Sequence, residues 1–230
     1  MEETSLTLTL SGKSSILESF YFPPIELCPH KQYVLGLIEL LTFNSIPNID
    51  ESCNKLKLGE RIIKFPTGSY EIEDIDKYIQ KVLEGTQTTF SLTANNNTLK
   101  SVIECSETIN FKQKNSIAPL LGFANSLLKP GQSYTSSSPV KILKFNVLRV
   151  ECNITTGAYI NDKKVHTIHE FFPAVPPGYK IIEIPSKVIY QPVSVSRIDH
   201  IQLRIVDENE NLIDFQGEAI TVRLHLKIFK

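Results

Sequence analysis

Hydrophobic and polar residues alternate with a period of two at the C-terminal end of the chain. Ile201, Leu203 and Ile205 alternate with Gln202 and Arg204, and Ile220, Val222, Leu224, Leu226 and Ile228 alternate with Thr221, Arg223, His225 and Lys227. Successive side chains of a strand point to opposite faces, so each run predicts a strand with one apolar and one wet face. Asp207-Glu208-Asn209-Glu210-Asn211 lies between them, which predicts a hairpin closed by a polar turn. An apolar face of that length has to be covered by a second sheet or an insertion.

The rest of the chain carries the same signature. Leu6, Leu8 and Leu10 alternate with threonines, residues 33–43 form a short buried-strand run, and 54–58 and 61–65 predict a hairpin around Gly59-Glu60. Residues 14–28 end in Phe20-Tyr21-Phe22-Pro23-Pro24, and the two prolines confine that stretch to an edge or a loop. Strands are predicted at 89–93, 99–105 and 108–111, a compact helical turn at 116–123, one long strand at 140–152, and further strands at 165–172, 179–184 and 187–190. Residues 130–139, rich in serine, read as a polar exposed loop. One helix stands out. Ile72, Ile75, Ile79, Val82 and Leu83 share a face, with Glu71, Glu73, Asp74 and Asp76 early and Lys81 late, the order that complements the helix dipole. Its N-cap falls at Ser69 or Tyr70, and Gly85 stands at the C′ position.

Many short strands and one inserted α-helix (Ile72–Leu83) predict a mainly β, jelly-roll β-sandwich. The predicted organisation is a single domain over 1–230, with an insertion or subdomain around 44–135 that could form a small additional sheet.

Composition narrows the function. The 24 basic and 25 acidic residues nearly cancel, so no general attraction to nucleic acid or anionic membrane is expected. No apolar run approaches a membrane span. The first residues lack the basic and apolar regions of a signal peptide, which predicts an intracellular product. Cys28, Cys53, Cys105 and Cys152 are widely spaced and read as free thiols. Asn96-Asn97-Thr98 and Asn153-Ile154-Thr155 match a glycosylation acceptor, without a secretory signal to give it meaning.

Candidate chemistry is sparse. His166, His169 and Glu170 are the nearest approach to a metal motif, and they are the residues an enzyme of cupin type would use. On a strand, however, positions three apart face opposite sides, so a shared metal is disfavoured. The acidic group Glu71 to Asp76 reads as a first helical turn, and Asp207 to Asn211 lacks the order of a calcium loop. No cysteine sits in a nucleophile context, and there is neither a phosphate-binding glycine loop nor a serine elbow. No catalytic, cofactor-binding or metal-binding residue is therefore expected, and no small-molecule substrate. Arg223, His225 and Lys227 are expected to form a solvated or partner-facing row.

Several phrases occur together in order: Thr42-Phe43-Asn44-Ser45-Ile46-Pro47-Asn48-Ile49-Asp50, Gly68-Ser69-Tyr70-Glu71-Ile72-Glu73-Asp74-Ile75 and Ile117-Ala118-Pro119-Leu120-Leu121-Gly122-Phe123. They continue with 151–159, 166–173, 199–207 and 217–225. This set resembles the minor capsid (penton) protein of Polinton/Maverick elements and the related adintoviruses, from about Tyr33 onward. The resemblance implies a jelly-roll vertex subunit without enzymatic activity, assembled as a homopentamer beside a double-jelly-roll major capsid protein and located in the virion. The alternative is a virion-associated β-sandwich that binds a glycan or receptor, a reading weakened by the absence of tryptophan.

Overall fold

The computed structural model describes residues 5–229. Three strands come first: β1 (Ser5–Gly12), β2 (Ile16–Glu26) and β3 (Tyr33–Phe43). The chain then runs through β4 (Lys55–Leu58), β5 (Arg61–Lys64), α1 (Ile72–Leu83), β6 (Phe90–Asn95), β7 (Lys100–Cys105), β8 (Ile109–Asn110), β9 (Leu127–Leu128) and β10 (Gln132–Thr135). It continues with β11 (Leu148–Cys152), β12 (Ala158–Ile160), β13 (Lys163–Val165), β14 (Thr167–Phe171), β15 (Lys180–Glu183), β16 (Gln191–Pro192), β17 (Arg197–Val206) and β18 (Ile220–Ile228). These elements fall into two compact units, one built by the chain up to Ile46 and from Phe145 onward, the other by Pro47–Lys144.

The first unit is a jelly roll. One sheet has the order β1-β18-β3-β15, with the short β16 also on β3, and the other has the order β14-β11-β17-β2. All of these pairings are antiparallel. The chain crosses from sheet to sheet at most of its connections, which is what two interleaved Greek keys require. The alternation that predicts each strand also builds the core between the sheets. Leu8, Leu10, Leu35, Leu37, Leu40, Ile220, Val222, Leu224 and Leu226 come from one side, and Leu17, Leu148, Val150, Ile168, Ile198, Ile201, Leu203 and Ile205 from the other.

The expected C-terminal hairpin does not form. β17 and β18 carry the predicted alternation, but they lie in different sheets. A period of two states which face of a strand is apolar and says nothing about its hydrogen-bonded neighbour, so two such strands satisfy it equally well across a core. The connecting 207–219 segment buries Ile213 and Phe215 in the roll, which a solvent-exposed hairpin turn would not do.

A tight turn opens this crossing. The Asp207 carboxylate accepts the backbone N–H groups of Asn209 (2.7 Å) and Asn211 (2.9 Å) and the Asn211 side-chain amide (3.0 Å). Burial alone would raise the Asp207 pKa, but these hydrogen bonds outweigh it and hold it below its ordinary 3.8. In the second unit Asp50 behaves alike: burial opposes, and Lys144 and Ser52 prevail. A carboxylate whose pKa is depressed by folding contributes stability that is complete above its unfolded value and is lost as pH falls through the folded one. Urea midpoints should therefore hold steady down to about pH 4 and decline below it, and Asp207→Asn should flatten part of that decline while lowering the midpoint at neutral pH.

The second unit holds a four-stranded sheet, β5-β4-β8-β9, a three-stranded sheet, β10-β7-β6, and α1. Ile72, Ile75, Ile79 and Leu83 of the helix pack with Leu56, Phe65, Ile103 and Phe111 in one core. The helix occupies its predicted span, but its N-cap is Glu71, one or two residues later than expected. Asp74 accepts the Glu71 N–H (3.3 Å) and Asp76 accepts the Leu92 N–H (2.8 Å), so two of the early acids anchor backbone. Gly85 takes φ +76 just past the end.

Three other expectations are corrected. The serine-rich 130–139 segment contains β10, an edge strand paired with β7; it is exposed on most of its length and so shows no apolar alternation. The long strand at 140–152 shrinks to Leu148–Cys152, because Val140 and Ile142 pack on the core of the second unit whereas Phe145 and Leu148 belong to the roll. Residues 187–190 form no strand.

Candidate assembly surfaces

The outer face of the β1-β18-β3-β15 sheet carries the row expected to be wet. Each member has a partner. Arg223 meets Glu39 at 2.8 Å, His225 Nδ1 lies 2.8 Å from the Tyr190 hydroxyl, and the Lys227 ammonium stands 3.8 Å from the centre of the Tyr190 ring. Tyr190 belongs to the 184–190 segment, which bulges out between β15 and β16 while those two strands pair with opposite ends of β3. This segment straps the sheet at Gly36, where a Cβ would come within 2.5 Å of Val188 and 3.0 Å of the Ile189 carbonyl. Its valine and isoleucines look strand-like in sequence, yet Val188 lies face-on against the glycine and Ile184 and Ile189 stand exposed. Gly36→Val should lift the strap and leave the inner core intact. Tryptic cleavage after the exposed Lys187 should then accelerate several-fold, with the far-ultraviolet spectrum unchanged.

A ridge stands on the free edge of the other sheet. Between Ile198 and His200 the β2–β17 register slips, so residues 21–24 of β2 stand against Asp199 alone and bulge outward. Phe22 at the crest is 100% exposed and Phe20 is 76% exposed, the latter stacked on His200 with ring centres 4.4 Å apart. Glu18 and Glu26 lie to either side of these rings along β2 and Asp199 stands opposite the bulge, with Arg197 3.8 Å from Asp199 and His200 3.6 Å from Glu18. The prolines predict an edge position, and β2 is an edge strand. Phe20 faces outward in register with His200, whereas Phe22 projects from the bulge that the slip creates.

The opposite edge of the same sheet holds an open cleft of about 500 Å³. Its walls are the β12–β13 hairpin with Tyr159, the β14 strand, and the strap with Ile189. His169 and Glu170 line this cleft, whereas His166 is not among its lining residues, so the two histidines are not brought together. His166 Nδ1 lies 2.6 Å from the Thr155 carbonyl, and His169 Nε2 lies 2.8 Å from Glu183. Glu170 turns to Arg149 at 2.8 Å. Among the described residues no group of three His, Cys, Asp or Glu side chains is placed to hold a metal. Lys187 lines the cleft and is exposed, and Lys163 and Lys164, with Asp162 beside them, are exposed on the β12–β13 hairpin, paired with the lining residues Ile160 and Tyr159.

The four cysteines are free thiols. Burial pushes Cys152 up to about 12 and also raises Cys105, where it outweighs the Glu107 backbone N–H donated to the sulfur, so both stay protonated and unreactive at neutral pH. No helix of the described residues is long and apolar enough to cross a membrane.

No family model matches the sequence, and no curated protein does. In structure, the chain is similar to the mavirus penton protein, with a TM-score of 0.54 over 99% of this chain and 100% of that chain at 13% sequence identity. The likeness spans the roll and the inserted unit together, and the fold is penton-like: a mainly β jelly roll with a single helix.

Proposed function

We propose that this chain is a structural, non-enzymatic capsid protein, the penton subunit of an icosahedral particle. The observation that carries the reading is the end-to-end structural likeness to a viral penton protein. The ordered phrases from Thr42 to His225 favour a particle of Polinton/Maverick or adintovirus kind. In this reading residues 1–230 act as one capsid subunit, with the second unit inserted between β3 and β11. Five copies close a vertex ring beside a double-jelly-roll major capsid protein, and the subunit resides in the virion.

The surface supports an assembling role. Large apolar side chains stand exposed on both edges of the roll, among them Phe20, Phe22, Ile182, Ile184 and Ile189, and exposed apolar groups in that concentration are characteristic of surfaces that meet a partner. Native mass measurement of the purified chain, alone and mixed with the major capsid protein, tests the proposal. A discrete five-fold species is expected, and electron microscopy should show it as a ring. A strict monomer at high micromolar concentration under both conditions overturns it.

A further inference from the structure

We propose that neighbouring copies join head to tail, with the Phe20–Phe22 ridge of one protomer seated in the cleft between the β12–β13 hairpin and the strap of the next. This rests on the assembling role just described and names its contact surfaces.

Three observations support the pairing. First, the two features lie on opposite edges of one sheet. β2 and β14 are the outer strands of β14-β11-β17-β2, separated by three strand spacings, roughly 14 Å of sheet. A projecting feature on one edge and a receiving feature on the other make a heterologous contact. Repeated, such a contact is the kind that a closed ring requires, whereas a self-complementary patch stops at a two-fold dimer.

Second, the ridge is built as a projection and the cleft as a receptacle. The register slip pushes Phe22 out of the sheet into full exposure. Fully exposed, rigid aromatics are the side chains that become interface anchors when a pocket takes them. Ile189 and Tyr159, both well exposed, line the cleft and offer apolar surface to receive the ring.

Third, the charges are complementary. The ridge carries three carboxylates, Glu18, Glu26 and Asp199, with the Arg197 guanidinium 3.8 Å from Asp199 and the His200 ring 3.6 Å from Glu18. On the cleft side Glu170 and Glu183 are already engaged by Arg149 and His169. Lys163, Lys164 and Lys187 have no ion-pair partner among the described residues. The carboxylates beside the apolar knob would meet Lys187 in the cleft and Lys163 and Lys164 on its hairpin wall, which outnumber the adjacent Asp162, and this orients the approach and disfavours knob-to-knob pairing.

The test places a photo-reactive phenylalanine analogue at position 22 and mixes isotopically light and heavy chains before irradiation. The expected cross-links join position 22 to residues 158–170 or 183–191 of a different copy. Phe22→Asp should weaken self-association by roughly tenfold or more. The triple variant Lys163→Glu, Lys164→Glu, Lys187→Glu should weaken it in the same direction, with a reduced dependence on salt. Phe22 touches nothing that holds the fold, so its melting transition should stay in place and show that assembly alone has been affected. Rings that persist with Phe22→Asp, or cross-links to β2 of another copy, overturn this contact while leaving the penton reading intact. A folded chain that is monomeric under every condition overturns both.

Discussion

Gly122→Ala should destabilise the second unit by about 2–5 kcal/mol, the sum of a left-handed backbone forced on an L-residue and an unrelieved steric overlap. Gly122 has φ +78, and a Cβ at that position would lie 2.1 Å from the Ser138 carbonyl oxygen and 3.0 Å from that of Pro139. Both obstacles are backbone atoms, so no rotamer change relieves them. The carbonyl of Gly122 also accepts the Ser138 N–H at 3.1 Å and the Ser137 hydroxyl at 3.3 Å. Any shift that makes room for a methyl group therefore breaks the contacts that fix the 136–139 segment beside β7. Gly131→Ala is the control. Its φ is +71, but nothing lies within 4 Å of the added carbon, so it should cost only about 1–2 kcal/mol. Chemical denaturation of the two variants gives the comparison directly. Equal midpoints would show that the close approach to Ser138 is not a constraint.

The second large effect lies in the roll. Leu224→Ala should cost about 2–5 kcal/mol, because Leu224 is fully buried at the centre of β18 between flanking β1 and β3. For a domain whose total stability is on the order of 5–15 kcal/mol, that is a substantial share. His225→Ala, one residue along on the outer face, loses a hydrogen bond to Tyr190 and some strap packing, and should cost about 1 kcal/mol. The ratio of the two costs measures how completely the alternation separates core from surface. Urea titration of both variants, monitored by tyrosine fluorescence and circular dichroism, would provide it; comparable losses would contradict the placement of Leu224 in the core.

Much of this was legible from residue patterns alone. The β18 alternation from Ile220 to Leu226 maps onto buried and wet faces position by position, and the helix runs over its predicted residues. What could not be read was which strand neighbours which. β17 and β18 each announce an apolar face, and the choice between pairing side by side and facing one another across a core is made by the link. There, Ile213 and Phe215 were the available clue. Polar edge strands escaped for the opposite reason: β10 buries too little to leave a periodic trace. The strap at 187–190 looks like a strand because branched residues favour strands, but they do so only where they have a pleated neighbour, and here Val188 lies on Gly36 while Ile189 stands exposed. The candidate site was half visible. The prolines of β2 marked an edge, while the outward projection of Phe22 depends on a slip in register that involves Asp199, far away in sequence.

The placement of β18 has a consequence for how the chain is made. In chain order it is the last strand of the roll, yet it occupies an interior place, hydrogen-bonded to β1 on one side and β3 on the other. During synthesis β1 and β3 emerge first and must wait, their facing edges unpaired, until the end of the roll leaves the ribosome. The Pro47–Lys144 unit has no such delay, since both of its sheets and its helix come from one continuous stretch. A nascent chain that stops short of Ile220 thus carries a complete second unit and an open roll, and the roll cannot close before β18 has been translated.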